Sequence, residues 1–252
     1  MKKIFDRLIF IGLVPLMFAA CSDATSEDET PASPIVINDN NGADYNPVID
    51  PANFVSTIDN PYFTLSAGRS WSYEGSNDDG EPERILVEVT QDTKTIQGIS
   101  MTVVRDRVWE DDELVEDTYD WFAQDSEGTV WYFGEAVDNY EDGVLKDHEG
   151  AWEAGVNGAR AGIAMKANPQ VGDVYRQELL PGEAEDMGEV LSTGVSVTIG
   201  IGSYQNCIVI KDWTPLEADI EEHKTWCPAV GNVVLEKKVA GESGSIELKE
   251  TQ

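Results

Sequence analysis

From about residue 60 onward, apolar and polar positions alternate with a period of two over short stretches separated by turn-forming residues. Arg84 to Thr90 is the clearest case. Ile85, Val87 and Val89 fall on one side and Arg84, Leu86 and Glu88 on the other, which predicts a strand with one buried and one wet face. Ser100 to Trp109 and Glu113 to Phe122 flank the acidic turn Glu110-Asp111-Asp112, and Thr129 to Glu135 follows Asp125-Ser126-Glu127-Gly128, so consecutive strands are joined by hairpins. With Gly68 to Gly75, Ala161 to Lys166, Val174 to Leu180, Glu189 to Ile199, Asn206 to Trp213, Glu222 to Pro228, Asn232 to Val239 and Ser245 to Lys249, the pattern predicts about eleven strands. Sustained helical periodicity is absent. Only Pro51 to Thr57, and Pro181 to Gly188 with proline opening and glycine closing, predict a short helix. The expected fold is therefore all-β: a single antiparallel sheet that must curl or close like a barrel to hide its edges.

The start of the chain follows a different pattern. Lys2, Lys3 and Arg7 precede an apolar run from Leu8 to Phe18, long enough for export but too short for a stable spanning helix. Ala19 and Ala20 then lead into Cys21, the arrangement of a lipoprotein signal with a thiol placed for diacylglycerol, although Phe18 stands where leucine is usual. Residues 1–20 are expected to be cleaved, leaving Cys21 as a lipidated N-terminus that holds the protein on a membrane face. Ser22, rather than aspartate, resembles the sorting signal for the outer membrane. Residues 21–50 are rich in Ser, Thr, Asp, Glu, Asn and Pro and read as a disordered acidic tether; residues 51–252 read as the single β-rich domain.

Charge narrows the partners. The chain carries 17 Lys and Arg against 48 Asp and Glu, a net charge of −31. Loss of the first 20 residues removes three bases and one acid and leaves −33. That excess argues against nucleic acid and anionic headgroups, and suits solubility in salt, cations or a basic partner. Apart from Cys21, the cysteines are Cys207 and Cys227. If their strands form a hairpin in which opposed residue numbers sum to 434, the two face each other and a disulfide is favoured; the alternatives are two buried thiols or a copper or zinc site.

Candidate chemistry is sparse. Among seven tryptophans, Trp71, Trp121, Trp131 and Trp152 are candidate ring platforms for an apolar or carbohydrate ligand. Their bland alternative is core packing, or for Trp152, in the small-residue stretch Gly150 to Gly162, a plug over a barrel mouth. The clusters Asp78-Asp79, Asp111-Asp112, Glu141-Asp142 and Glu183, Glu185, Asp186, and the run Asp39 to Asp44, lack the ladder of a calcium loop. His148 and His223 are the only histidines, and no nucleophile elbow, P-loop or dinucleotide fingerprint occurs. No catalytic residue, metal or cofactor beyond the Cys21 lipid is expected, and Glu178 with Asp186 is a formal glycosidase pair only.

Several motifs point the same way. Asp59-Asn60-Pro61-Tyr62-Phe63 with Trp71 and Tyr73-Glu74-Gly75, Asp120-Trp121-Phe122-Ala123-Gln124-Asp125, Val130-Trp131-Tyr132-Phe133-Gly134-Glu135, the stretch around Trp152 and Pro181 to Asp186 resemble a family of uncharacterised secreted or lipid-anchored bacterial β-rich proteins. The resemblance implies export and a β fold but no ligand. In architecture the chain is also similar to lipoprotein-carrier and lipocalin-like sheets. The expectation is a membrane-tethered, non-catalytic binding or envelope-interaction module with an aromatic-lined groove. Its rivals are a purely structural envelope protein and a carbohydrate-active or calcium-dependent hydrolase.

Overall fold

The computed structural model describes residues 45–77, 80–240 and 244–252. The leader, Cys21, the tether up to residue 44 with Asp39 to Asp44, and Asp78-Asp79 lie outside the described residues.

The strands are β1 (Phe54–Val55), β2 (Ile58–Asn60), β3 (Phe63–Leu65), β4 (Ser70–Ser76), β5 (Pro82–Ile96), β6 (Ile99–Glu110), β7 (Glu113–Asp125), β8 (Val130–Glu141), β9 (Val144–Asp147), β10 (Trp152–Glu153), β11 (Arg160–Met165), β12 (Val174–Arg176), β13 (Glu178–Leu179), β14 (Met187–Ile199), β15 (Gly202–Thr214), β16 (Glu217–Cys227), β17 (Asn232–Ala240) and β18 (Gly244–Thr251). They form one large antiparallel sheet in the order β12-β14-β15-β16-β17-β18-β4-β5-β6-β7-β8-β11-β13, with β1, β9 and β10 pairing at its margins, and a separate β2–β3 hairpin.

The sheet curls until its two ends meet. The stretch from Val174 to Leu179 serves both: β12 pairs with β14 (Val174↔Glu189 to Arg176↔Met187), and after a kink at Gln177, β13 pairs with β11 (Arg160↔Leu179, Ala161↔Glu178). Backbone N–H groups of Gln177 and Glu178 both donate to the Asp186 carbonyl, at 2.7 and 3.2 Å. Gly162 makes the approach possible, since a Cβ there would stand 2.0 Å from the Gln177 carbonyl oxygen. This junction is the seam of a nearly closed barrel.

One end of the barrel is plugged by β2–β3. Phe63 packs edge-on to Phe122 at 5.0 Å and against Trp226 at 5.3 Å between ring centres, while Ile58 and Leu65 are also buried. Polar groups lock the plug in place. Gln124 Oε1 accepts from the backbone N–H of Asp59 and Asn60, Gln124 Nε2 donates to Asp59 at 2.7 Å, and Asn60 Nδ2 donates to the carbonyls of Gly128 and Lys166. The motif residues Asp59, Asn60, Gln124 and Asp125 thus act together in closing the barrel, and Asp125 also receives the Trp131 indole N–H at 2.9 Å.

The all-β expectation holds, with two corrections. The strands are longer and more numerous, eighteen among the described residues rather than about eleven. β5 runs on through the polar stretch Gln91 to Thr95 because an irregularity between Val89 and Thr93 keeps the register with β6, whereas the alternation read from sequence stops at Thr90. Likewise Thr214↔Glu217 closes a tight turn where a longer loop was expected. Helix is scarcer than expected. Pro51–Asn53 is a single 3-10 turn capped by the Asp50 side chain, and Pro181 to Gly188 is no helix but a turn in which Leu180 pairs with Ala184 and Gly182 takes a φ of +80°. The seam explains this: Asp186 is drawn out as the acceptor for two backbone donors, and Met187 already belongs to β14.

Candidate functional site

Directly opposed residues in an antiparallel ladder share a face, so register assigns the inner wall. Trp71↔Val87↔Asp106↔Thr118↔Val137 is one such row and Val89↔Val104↔Asp120↔Glu135 the next. On the far wall Ile208↔Trp226, Ile210↔Lys224↔Glu236 and Asp212↔Glu222↔Lys238 continue it. Near the plug the interior is apolar, with Trp71, Phe122, Ile208, Ile210, Trp226 and Leu248 buried. Toward the other end it becomes a chamber of carboxylates: Asp106, Asp120, Glu135, Asp212 and Glu236, with Glu178 reaching them from the seam. Lys224 is their cation, 3.1 Å from Asp212, 3.4 Å from Glu222 and 3.8 Å from Glu236.

Burial dominates the chemistry of this chamber. Each of Asp106, Asp120, Glu135 and Glu178 keeps some accessible surface yet is walled in by protein, and loss of water favours the neutral acid. Asp120 is pushed up to about 7 by burial, partly offset by the Tyr132 hydroxyl donating to it at 2.6 Å. Glu236 is also pushed up to about 7, by burial against the opposing pull of Lys224. Asp106, Glu135 and Glu178 are held well above the ordinary carboxylate range, by burial first and neighbouring carboxylates second. Such groups hold their protons more tightly than exposed carboxylates do.

A shallow depression of about 260 Å³ opens beside this chamber, with Trp121, Trp152, Val156 and Leu180 as apolar walls and Glu135, Glu153 and Glu183 adding carboxylates. Trp152 sits in β10, opposite Glu135, and packs edge-on to Tyr132 at 5.3 Å. Gly134 permits the docking, because a Cβ there would lie 2.2 Å from the Trp152 carbonyl. Trp121 carries the Lys94 ammonium 3.1 Å above its ring, and Lys94 in turn pairs with Glu153 at 2.7 Å.

Of the four tryptophans singled out in the sequence, Trp121 and Trp152 come together in this depression. Trp71 is fully buried in the barrel floor, and Trp131 is tied to Asp125 on another part of β8. Trp152 is itself largely buried, as a plug would be. Cys207 and Cys227 form the disulfide with Cα atoms 4.3 Å apart, and the sum-of-434 register holds through Ile208↔Trp226, Val209↔Thr225 and Ile210↔Lys224. The bridge removes the alternatives of free thiols and a soft-metal site. His223 pairs with Glu221 and His148 with Asp138, each at 2.8 Å. Glu178 and Asp186 lie close enough for each charge to affect the other. Among the described residues no group of three or more His, Cys, Asp or Glu is placed to hold a metal ion.

Of the chamber carboxylates the sequence singles out only Glu178, in the formal pair with Asp186; Asp106, Asp120, Glu135, Asp212 and Glu236 are not among its candidates. Their signal was available as acids in phase with apolar positions, Asp106 between Val104 and Val108 and Asp120 between Thr118 and Phe122.

No protein-family model matches the chain, and no curated protein does. Two solved structures are similar to it. One is a candidate exported protein with a YmcC-like fold from Bacteroides fragilis, at 12% identity, covering 75% of this chain and 98% of its own, with a TM-score of 0.44. The other is a candidate lipoprotein from Parabacteroides distasonis, at 12% identity, covering 76% and 98%, with a TM-score of 0.42.

Proposed function

We propose that the chain is an exported lipoprotein, anchored through Cys21 to the cell envelope at the outer membrane, whose barrel is a non-catalytic binding module. The basic start, apolar run and Ala19-Ala20-Cys21 ending support export and lipidation, and the Cys207–Cys227 bridge suits an oxidising compartment. The observation that carries the binding reading is the depression in which Trp121 and Trp152 meet Leu180 and Val156 beside Glu135, Glu153 and Glu183. Val156 and the accessible edges of the two largely buried indoles offer apolar area, and carboxylates accept hydrogen bonds from hydroxyls, so a small apolar or carbohydrate ligand fits the chemistry.

Two measurements test this. Cys21→Ser is expected to move the protein from the membrane fraction to the soluble fraction; retention in the membrane fraction would remove the anchor. Native mass spectrometry of protein purified from its own host should reveal a retained mass, lost in Val156→Arg, which places a long charged side chain at an exposed rim position. A bare chain, or a retained mass indifferent to Val156→Arg, would leave the packed barrel as an envelope structure without this site.

A further inference from the structure

The thinnest closure in the barrel is also where its acids converge. β5 and β6 pair from Glu83 to Ile96, but the seam rests on Val174 to Arg176 against β14 and on Glu178 and Leu179 against β11. The Asp186 backbone holds the kink between them by accepting from Gln177 and Glu178, and the turn that follows is held by Leu180–Ala184 bonds and by Gly182 N–H donating to Glu185 at 2.8 Å. Around that junction stand Glu178 on β13, Asp186 before β14, Glu135 and Tyr132 on β8, Glu116 and Asp120 on β7 and Asp106 on β6, with Lys224 on β16 as the cation within reach. Arg176, fully buried, reaches Glu185 at 3.5 Å, and Lys94 is already engaged by Glu153. Leu180 and Glu183, which line the depression, belong to the same turn.

We infer that the seam is a proton-operated latch: protons held on Glu178, Glu135 and Asp120 keep it shut, and their loss loosens β12–β13 and the wall of the depression formed by Leu180 and Glu183. This regulation rests on the binding reading above for its consequence, but the latch itself rests on the seam. Ionising one of these acids in the closed barrel places a charge beside Asp186 and its neighbours in a half-buried site, whereas an opened seam hydrates it more fully. Because the closed form holds protons that the open form releases, opening becomes more favourable as pH rises from the ordinary carboxylate range through the higher values of the closed form. Burial raises the carboxyls of Glu135 and Glu178 in the same direction, and the Asp120 value of about 7 lies within that range.

Hydrogen exchange of the full-length protein between about pH 5.5 and 8, corrected for the intrinsic rate, tests the latch. The segment 174–187 is expected to open about tenfold more per pH unit for each proton shed, while the β5–β6 hairpin stays level. Glu178→Gln and Glu135→Gln should each flatten that slope, and Asp112→Asn, at an exposed turn, should not. A segment that tracks the β5–β6 hairpin at every pH overturns the proposal, as does a slope unchanged in both Gln variants; if Glu178→Gln does not fold, Glu135→Gln and the unaltered chain decide. Fluorescence of N-phenyl-1-naphthylamine on the same samples separates the two readings. A pH-dependent seam with probe binding indifferent to Val156→Arg supports the latch and removes the binding site, whereas a flat seam with probe binding lost in Val156→Arg overturns the latch and leaves the site.

Discussion

Asp120 stands between Val104 and Glu135 on the inner wall, with its carboxyl accepting from Tyr132 at 2.6 Å. Burial raises its folded value to about 7, above the unfolded value of 3.8. For an acid shifted this way the folded state binds the extra proton, so its contribution to stability falls as pH rises between those values and is lowest above the upper one. Asp120→Asn keeps an acceptor for Tyr132 and has no proton to lose. Its urea midpoint is expected to exceed that of the unaltered chain at about pH 8 and to match it near about pH 4. Equal midpoints at both pH values would show that Asp120 is not neutralised by the fold. At this scale the sequence was partly legible. It selects Trp121 and Trp152 by size and setting, but only through-space packing separates them from Trp71, sealed in the floor, and Trp131, bound to Asp125.

Among elements, the β15–β16 hairpin was legible in register because its information is local. Cys207 and Cys227 are 20 residues apart, strand alternation fixes which pairs face, and the bridge follows. The seam is the opposite case. Gly162 on β11 meets Gln177 after the intervening turn and β12, and nothing in the alternation of Ala161 to Lys166 marks Gly162 as the point where the two ends of the sheet touch. Gly162→Ala would force a Cβ to within 2.0 Å of the Gln177 carbonyl oxygen. Because both partners are backbone, the seam must shift; the variant is expected to lose about 1–3 kcal/mol, read as a lower urea midpoint, with faster exchange in 174–179. Unchanged stability and exchange would mean that the sheet ends are not joined there. The turn at Pro181 misled for the same reason, since its proline and glycine suit a helix until the Asp186 carbonyl is needed at the seam.

The whole molecule balances a packed barrel against a net charge of −31. Self-repulsion among surface carboxylates opposes compaction and is screened by salt, while the burial of Asp106 and its neighbours is not. Raising sodium chloride from about 0.05 to about 1 M is therefore expected to raise the thermal midpoint, more at about pH 8 than at about pH 5, where fewer acids are charged. A midpoint insensitive to salt at the higher pH would show that the acidic surface is already neutralised, as by a bound basic partner. The motifs that suggested a family resemblance also acquire a place at this scale: Asp59 and Asn60 from the plug and Gln124 from β7 meet across 64 and 65 residues to close one barrel end.

By itself the sequence determined what short-range physics governs: an all-β chain with hairpins at the acidic turns, opposed cysteines, and a basic, then apolar, then Ala-Ala-Cys start on which the expectation of export and lipidation rests. These follow from side-chain alternation and turn chemistry within a few residues of one another. Tertiary structure alone decided the curl of the sixteen-stranded sheet seen among the described residues, the seam at Gln177, the plug formed by Phe63 and the gathering of Asp106, Asp120, Glu135 and Glu178 into one chamber. Periodicity states which residues share a face but not which face curls inward or which distant strand lies opposite. Those outcomes depend on how the curled sheet's ends meet, a property of the assembled barrel.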